Sequence, residues 1–531
     1  MKKSKKNMAP RGDRRILYVS DPSSIAMNIL PDPVRPDDLR RWVDILADSG
    51  VDCFNQEVYN QGWAVYWQSD KIQYDQRPQH RRFLPMLDTG IQPVEVLIDQ
   101  SHKRGMTFLA GFRMNDEHDF PVYAGFYESH PEFLLELPEG AYYQYGKPRD
   151  FSFDEVREFV FEVMREFASR FDVDGLEMCF RDHGYFPPGK GGERAHLMTD
   201  LVRKIRAMLA KQGKLKGKKL LLGARVYSTL EECRNLGLDV PTWISERFID
   251  YVSPADVMYN DFSIPVNEFA ALTRNSECML YPGMLPWTSV RARSRLDQIP
   301  LSAANCRALA QTYYGAGADG ISIYNHFSAM WNVPFYPHQM QVFHQLRDPE
   351  RIVSGERHYV FDPTWAGLTG FGGEGKCPTG AVKANKLVLD RNIPQATGEY
   401  QFYLYEDLNR AYGATLLFRG FGLTEDDQLQ VHLNGHLIPT ETIGQTRQSD
   451  APPAEWAHER KFQGRLVKCI PEQGRIDFRP DPEPPFSTRW FCLSPSSMVY
   501  GQNCLAVSLT QGGPQASGPI VIDELEVWVQ P

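Results

Sequence analysis

The chain has 531 residues, 42% of them hydrophobic and 24% charged. That is enough for several domains and a sizeable core, so a disulfide-stapled miniprotein and a disordered tail are both excluded. Fifty-eight Lys and Arg against 67 Asp and Glu leave a net charge of −9, which argues against a general nucleic-acid binder, because that role needs a basic footprint. Aromatics at 12% suit carbohydrate stacking and an ordinary large core equally well.

The first segment, MKKSKKNMAPRGDRR, is basic, and no apolar run of leader length follows it. Residues 1–14 therefore read as a disordered basic N-terminus. No membrane span is visible. The expected location is the cytoplasm, or a secreted or periplasmic one for a chain whose leader has been removed. Nine cysteines, an odd number, contain no C-x-x-C pair. Cys179 in LEMCF and Cys278 in ECMLY sit inside apolar runs. They read as reduced, buried thiols, which disfavours a disulfide framework and a Cys-rich zinc site.

Strand-like runs then alternate with helical patterns. The predicted strands are Ile16–Ser20, Val51–Glu57, Met106–Arg113, Asp174–Arg181, Lys219–Val226, Ile249–Ala255, Cys278–Pro282 and Gly320–Asn325. The predicted helices are Pro36–Ser49, Val94–Lys103, Asp154–Phe171, Ala195–Lys211, Pro265–Thr273, Leu301–Gly315 and Pro337–Leu346, with Pro241–Arg247 the weakest. DFSFDEVREFVFEVMREFASRF gives the clearest pattern, an acidic first turn followed by apolar residues at spacings of three and four. Eight strands alternating with helices predict an α/β fold, specifically a (β/α)8 TIM-type barrel, over 15–350. No G-x-G-x-x-G or G-x-x-x-x-G-K-[ST] follows a strand, which weakens a nucleotide-binding reading. Beyond about Gly355 the texture changes to short alternating runs: NKLVLD, EYQFYLYED, ATLLFRGF, QLQVHLNGHLI, NCLAVSLTQ and IVIDELEVWV. This predicts an all-β sandwich or jelly roll over 351–531, with a hairpin at the NG of VHLNGHLI.

In such a barrel, polar residues at strand C-termini are the site candidates. They are Asp21 in YVSDPSS, Asn55 and Glu57 in FNQEVYN, and Arg113, Asn115 and His118 in FRMNDEHDF. Glu177 and Arg181 in DGLEMCFRDH, Arg225 in ARVYS, Asp256 in SPADVMYN, Tyr281 in LYPGM and Asn325 in IYNHF complete the set. Two plans compete. In the first, two carboxylates flank a glycosidic bond, with Glu177 beside Asp256 or Glu57. In the second, His118 works with Asp21, the carboxylate orienting the imidazole. Arg113, Arg181 and Arg225 end three successive strands and suit a ligand carboxylate or phosphate, or else pair with Glu177, Glu57 and Asp256.

These residues resemble glycoside-hydrolase-like barrels with a DG-x-E segment on strand four. More narrowly, they are similar to the inverting exo-sialidases of glycoside hydrolase family 156. Asp21 matches that family's strand-one Asp, His118 its His after strand three, and Arg113 and Arg181 its carboxylate-binding arginines. The resemblance covers roughly Arg15–Leu346. It implies an exo-acting glycoside hydrolase on a glycan ending in an acidic sugar, sialic acid first, by single-displacement inverting hydrolysis. Asp21 and His118 would handle the protons. Arg113, Arg181 and Arg225 would hold the sugar carboxylate, with Asn115, Tyr281 and Asn325 as sugar contacts. Glu177 and Asp256 would orient the arginines or be the catalytic pair themselves. No cofactor and no metal are expected. The expected partner is a glycan, with no nucleic acid and no membrane, and a homodimer is an open expectation. The alternatives are a two-carboxylate glycosidase on another sugar and a non-catalytic carbohydrate-binding protein. A metal-dependent lyase or isomerase is disfavoured by the lack of H-x-H, H-E-x-x-H or D-x-D at a strand end.

Overall fold

The computed structural model describes residues 15–60, 62–115, 129–135, 148–180, 184–255, 260–286, 301–326, 338–361, 387–446, 468–470, 475–477 and 486–531. Parallel strands Arg15–Ser20, Cys53–Asn60, Thr107–Arg113, Gly175–Cys179, Leu221–Val226 and Tyr251–Pro254 pair in chain order, and Gly320–Tyr324 returns beside the first. The seventh strand comes in two halves. Met279–Leu280 pairs with Tyr251–Pro254, and Gly283–Met284 pairs with Gly320–Tyr324. Pro282 has no N–H to give, yet its carbonyl still accepts from Ser322 N at 3.0 Å. The broken strand thus joins both edges of the sheet, and the eight-stranded ring closes through it. Each predicted barrel strand is present, shifted by up to three residues at an end.

The helices form where the apolar stripes predict them. Asp154–Arg170 has Asp154 and Glu155 in its first turn and buries Val156, Val160, Val163, Met164 and Phe167 against the sheet. Gly191–Lys216 is longer than predicted and stops at Gly217, whose φ of 68° is the left-handed conformation that ends helices. Ala303–Ala316 begins at a Ser302–Asn305 capping box. One expectation is corrected: the region predicted as a helix over Pro337–Leu346 forms 3-10 turns over His338–His344.

Downstream, strands are antiparallel and lie in two main sheets. Six strands, among them Arg357–Phe361, Gly413–Phe421, Phe486–Cys492 and Ile520–Gln530, form one; Thr397–Leu404, Gln428–Leu433, His436–Ile438 and Gly501–Gln511 form the other. Alternate residues are buried along Thr397–Leu404 and Gly413–Phe421, as a half-buried sheet requires. Phe361 and Phe402 meet between the sheets with ring centres 5.3 Å apart. The NG hairpin forms with Asn434 and Gly435 at φ 52° and 81°, the signs a type I′ turn demands. The strands Arg357–Phe361, Gly444–Thr446 and Phe486–Cys492 were not predicted individually.

The β region packs on the barrel beside helix Ala303–Ala316. Asn305 Nδ2 donates to His358 O at 2.8 Å, and Gln311 Nε2 donates to Tyr405 O at 2.7 Å. Cys53, Cys179, Cys233, Cys278 and Cys306 are buried thiols, whereas Cys492 is exposed. Among the described residues, no helix is long and apolar enough to cross a membrane.

Candidate functional site

Strand alternation sends every second side chain into the barrel, and the C-terminal ends of the strands bring their last inward residues together. Asp21 stands one residue beyond strand one. Its Oδ1 accepts from Ser23 N at 2.7 Å and Ser24 N at 2.9 Å. Its Oδ2 accepts from Arg113 Nη2 and from the Tyr324 hydroxyl at 3.3 Å. Two backbone donors, a guanidinium and a phenol suit a carboxylate anion. The Asp21 side chain keeps 14% of its surface exposed.

Arg113, at the end of strand three, bridges inward. Its Nε donates to Glu57 Oε2 at 2.8 Å and its Nη2 donates to the Tyr324 hydroxyl at 2.7 Å. The pairing register shifts between Glu57 and Tyr59, a bulge at the rim of the barrel that re-aims the end of strand two. Arg225 lies with its guanidinium carbon 4.2 Å from the Tyr324 ring centre, a cation–π contact. The alternative in which the arginines pair with the protein's own carboxylates therefore holds for Arg113, which among the described residues binds Glu57 and Asp21.

One layer deeper lies Glu177, fully buried. Asn55 Nδ2 donates to its Oε1 at 2.6 Å and the Tyr251 hydroxyl to its Oε2 at 2.8 Å. Glycines make this layer possible. A Cβ on Gly223 would stand 1.9 Å from Tyr251 Cζ, and one on Gly111 would stand 2.8 Å from Glu57 Cγ. Burial pushes the Glu177 carboxyl up to about 7, against the opposing pull of Tyr251 and Arg225. Glu177 is thus a buried acid beneath the mouth, not a group at its surface.

Other expected site residues separate. Asn325, at φ 45°, accepts from Asp21 N through Oδ1 at 2.8 Å and donates through Nδ2 to Ser24 Oγ at 3.1 Å, so it braces the Asp21 turn. The Asn115 amide bonds Arg149 N and O and, at 2.6 Å, Gly184 O; it ties loops together. Expected as a sugar contact, it is instead a buried loop tie. Tyr281 is also corrected. It lines a cavity of about 300 Å³ with Arg15, Leu17 and Cys53 at the opposite, N-terminal mouth. Strand seven runs on through Gly283–Met284, so Tyr281 is not at its end. His118, Arg181 and Asp256 lie outside the described residues.

Three members of the cluster were not singled out from the sequence: Tyr324, Tyr251 and Ser23. Tyr324 shares parity with Gly320 on an inward-facing strand and precedes Asn325, a signal that was present. Tyr251 opens strand six rather than ending it, and only the glycine opposite shows how it reaches Glu177. Among the described residues, no group of three His, Cys, Asp or Glu is arranged to hold a metal ion.

Residues 19–203 match the family model described as Glycosyl hydrolase-like 10. This segment carries Asp21, Asn55, Glu57, Arg113 and Glu177, and it supports a glycosidase-type enzyme. No curated protein matches the chain. Among solved structures, the chain is similar to a Paenibacillus sp. cycloisomaltooligosaccharide glucanotransferase, at 10% identity and TM-score 0.35, covering 96% of this chain and 57% of that one. It is similar to alpha-L-fucosidase isoenzyme 2 from Paenibacillus thiaminolyticus, at 10% identity and TM-score 0.42, covering 65% and 51%. It is also similar to the PgaB (BpsB) glycoside hydrolase domain from Bordetella bronchiseptica, at 12% identity and TM-score 0.42, covering 64% and 99%. The chain spans only 57% and 51% of the length of the first two. At these scores no residue role transfers from them.

Proposed function

We propose that the chain hydrolyses glycosidic bonds at the C-terminal mouth of the barrel, with Asp21 as the reacting carboxylate. The observation that carries this reading is the setting of Asp21: held by four donors among the described residues, with 14% of its side chain exposed. An acceptor-only carboxylate can take a proton from an attacking water. The electron pair of the breaking bond leaves on the glycosidic oxygen, which a second group protonates. His118 and Asp256 are the two candidates for that acid. Arg113 orients Asp21 and is itself oriented by Glu57. Glu177 has no exposed surface and acts on this plan as a support for the layer above.

For the sugar, the resemblance supports an acidic residue such as sialic acid, removed with inversion from a glycan end. One observation favours a second reading, a neutral glycoside. Arg113 is 2% exposed and bonded to two carboxylates, so a sugar carboxylate would have to be held by other guanidinium groups.

The test is a hydrolysis screen with chromogenic glycosides, including a sialoside, uronides and neutral hexosides. Wild type is run beside Asp21→Asn and His118→Ala. Release of sialic acid, lost in both variants, supports the acidic-sugar reading. Release of a neutral sugar, lost only in Asp21→Asn, supports the second. Full activity of Asp21→Asn on any hydrolysed glycoside overturns the assignment of Asp21.

A further inference from the structure

The insertion after strand two folds back over the turn that carries Asp21. The Tyr66 hydroxyl donates to Pro22 O at 3.1 Å, and Arg82 Nη1 donates to Leu30 O at 2.8 Å. At the centre of this contact is His80, with no exposed surface. Its Nε2 lies 3.0 Å from Ser23 Oγ and 3.5 Å from Asp75 Oδ2. Ser23 in turn donates its backbone N–H to Asp21 Oδ1 at 2.7 Å. Asp75 is itself clamped by Arg77 Nε, at 3.0 and 2.8 Å to its two oxygens.

Ser, His and Asp together invite comparison with a nucleophilic triad, but the geometry is different. A triad places the hydroxyl on one ring nitrogen and the carboxylate on the other. Here both meet Nε2, and among the described residues Nδ1 has no hydrogen-bond partner. An Nε2–H donating to Ser23 Oγ, with Asp75 Oδ2 alongside at 3.5 Å and a bare Nδ1 lone pair, fits this arrangement. Burial holds the ring neutral, lowering its pKa to about 4 despite Asp75 and Asp21 nearby and in line with Arg77 and Arg82. Nothing here activates the Ser23 oxygen. What the chain of contacts does is fix the Ser23 backbone.

We infer that His80 is a positioning residue for the reaction: it locks the Ser23 turn whose N–H groups aim Asp21, and Asp75 locks His80. This rests on the reading of Asp21 as the reacting carboxylate. The insertion after strand two is then a brace for the active-site turn. A misplacement of about 1 Å at a reacting group lowers turnover by roughly a hundredfold.

The test compares His80→Leu, His80→Gln and Ser23→Ala with wild type on whichever glycoside the screen finds. Gln carries an amide N–H near the place of Nε2; Leu carries none. The expected result is a 10- to 100-fold fall in kcat for His80→Leu, with KM changed less than threefold, and recovery to within threefold of wild type in His80→Gln. A crystal structure of His80→Leu should show Ser23 N withdrawn from Asp21 Oδ1 by more than 1 Å. A folded His80→Leu with wild-type kcat, or with Asp21 unmoved, overturns the proposal. If Asp21→Asn is fully active, the assignment of Asp21 fails separately, and the crystal structure still decides whether His80 holds the turn.

Discussion

Arg113 and Arg357 are each 2% exposed, and each binds a buried glutamate beside a tyrosine hydroxyl. Their surroundings differ in one respect. Arg357 gives Nε and Nη2 to the two oxygens of Glu406, at 2.7 and 3.1 Å, and Nη1 to the carbonyls of Val353 and Gly355. Tyr359 donates its hydroxyl to the same glutamate at 2.5 Å. Every group there finds its partner inside the protein, and the result is a staple that ties the turn at Val353 and Gly355 to Glu406, just beyond the strand Thr397–Leu404. Arg113 has Glu57 on its inner side, but its outer partner is Asp21, which still meets solvent. The same ionic chemistry closes a junction in one place and presents a carboxylate in the other. Burial of an arginine pair alone therefore does not separate a sealed junction from an open carboxylate; the exposure of its partner does.

Four changes would break or sharpen this contrast. The largest effect is expected at Asp21. Asp21→Asn should lower kcat/KM by roughly a thousandfold, about 4 kcal/mol of transition-state stabilisation, while thermal unfolding stays near wild type. Steady-state kinetics beside calorimetry measures both. Arg357→Ala should do the reverse. Leaving Glu406 buried without its cation costs about 3–5 kcal/mol of stability, read as a lowered denaturant midpoint, with turnover per folded molecule unchanged.

The third change concerns pH. The Glu177 carboxyl is raised to about 7, above its unfolded value. A raised carboxyl contributes stability that is fully present below the unfolded pKa and is lost as pH rises through the folded one. Stability relative to Glu177→Gln should therefore fall across the window from 4.5 to 7, by about 3 kcal/mol in all. Chemical denaturation at several pH values checks the slope; equal slopes in both proteins would remove Glu177 as its source. His80, lowered to about 4, works in the opposite sense, losing stability as pH falls from 6.5. Last, Gly223→Ala places a methyl 1.9 Å from Tyr251 Cζ and should cost about 1–3 kcal/mol while displacing Tyr251 from Glu177. The altered pH slope of this variant would report that displacement.

Much of this was readable in advance. The period of the apolar residues located eight barrel strands, and the turn chemistry of Asn434–Gly435 located a hairpin. Strand ends of a barrel converge whatever the sequence between them, so Asp21, Arg113, Arg225 and Asn325 could be gathered onto one face before any coordinates. Their depth could not. Glu177 and Asp21 both look like strand-end acids, yet one is fully buried and bonded by Asn55 and Tyr251 and the other meets solvent. Tyr281 lies near the end of the predicted strand Cys278–Pro282, whereas the chain resumes the sheet at Gly283.

Side-chain periodicity and turn residues act over a few positions, and they suffice for the alternation of elements, the α/β barrel and the change to antiparallel sheet. Which charges pair, which acid meets solvent and which loop braces it are set by long-range packing. Those outcomes depend on contacts such as His80 with Ser23, 57 residues apart, and Asn325 with Asp21, 304 residues apart, which no local pattern encodes.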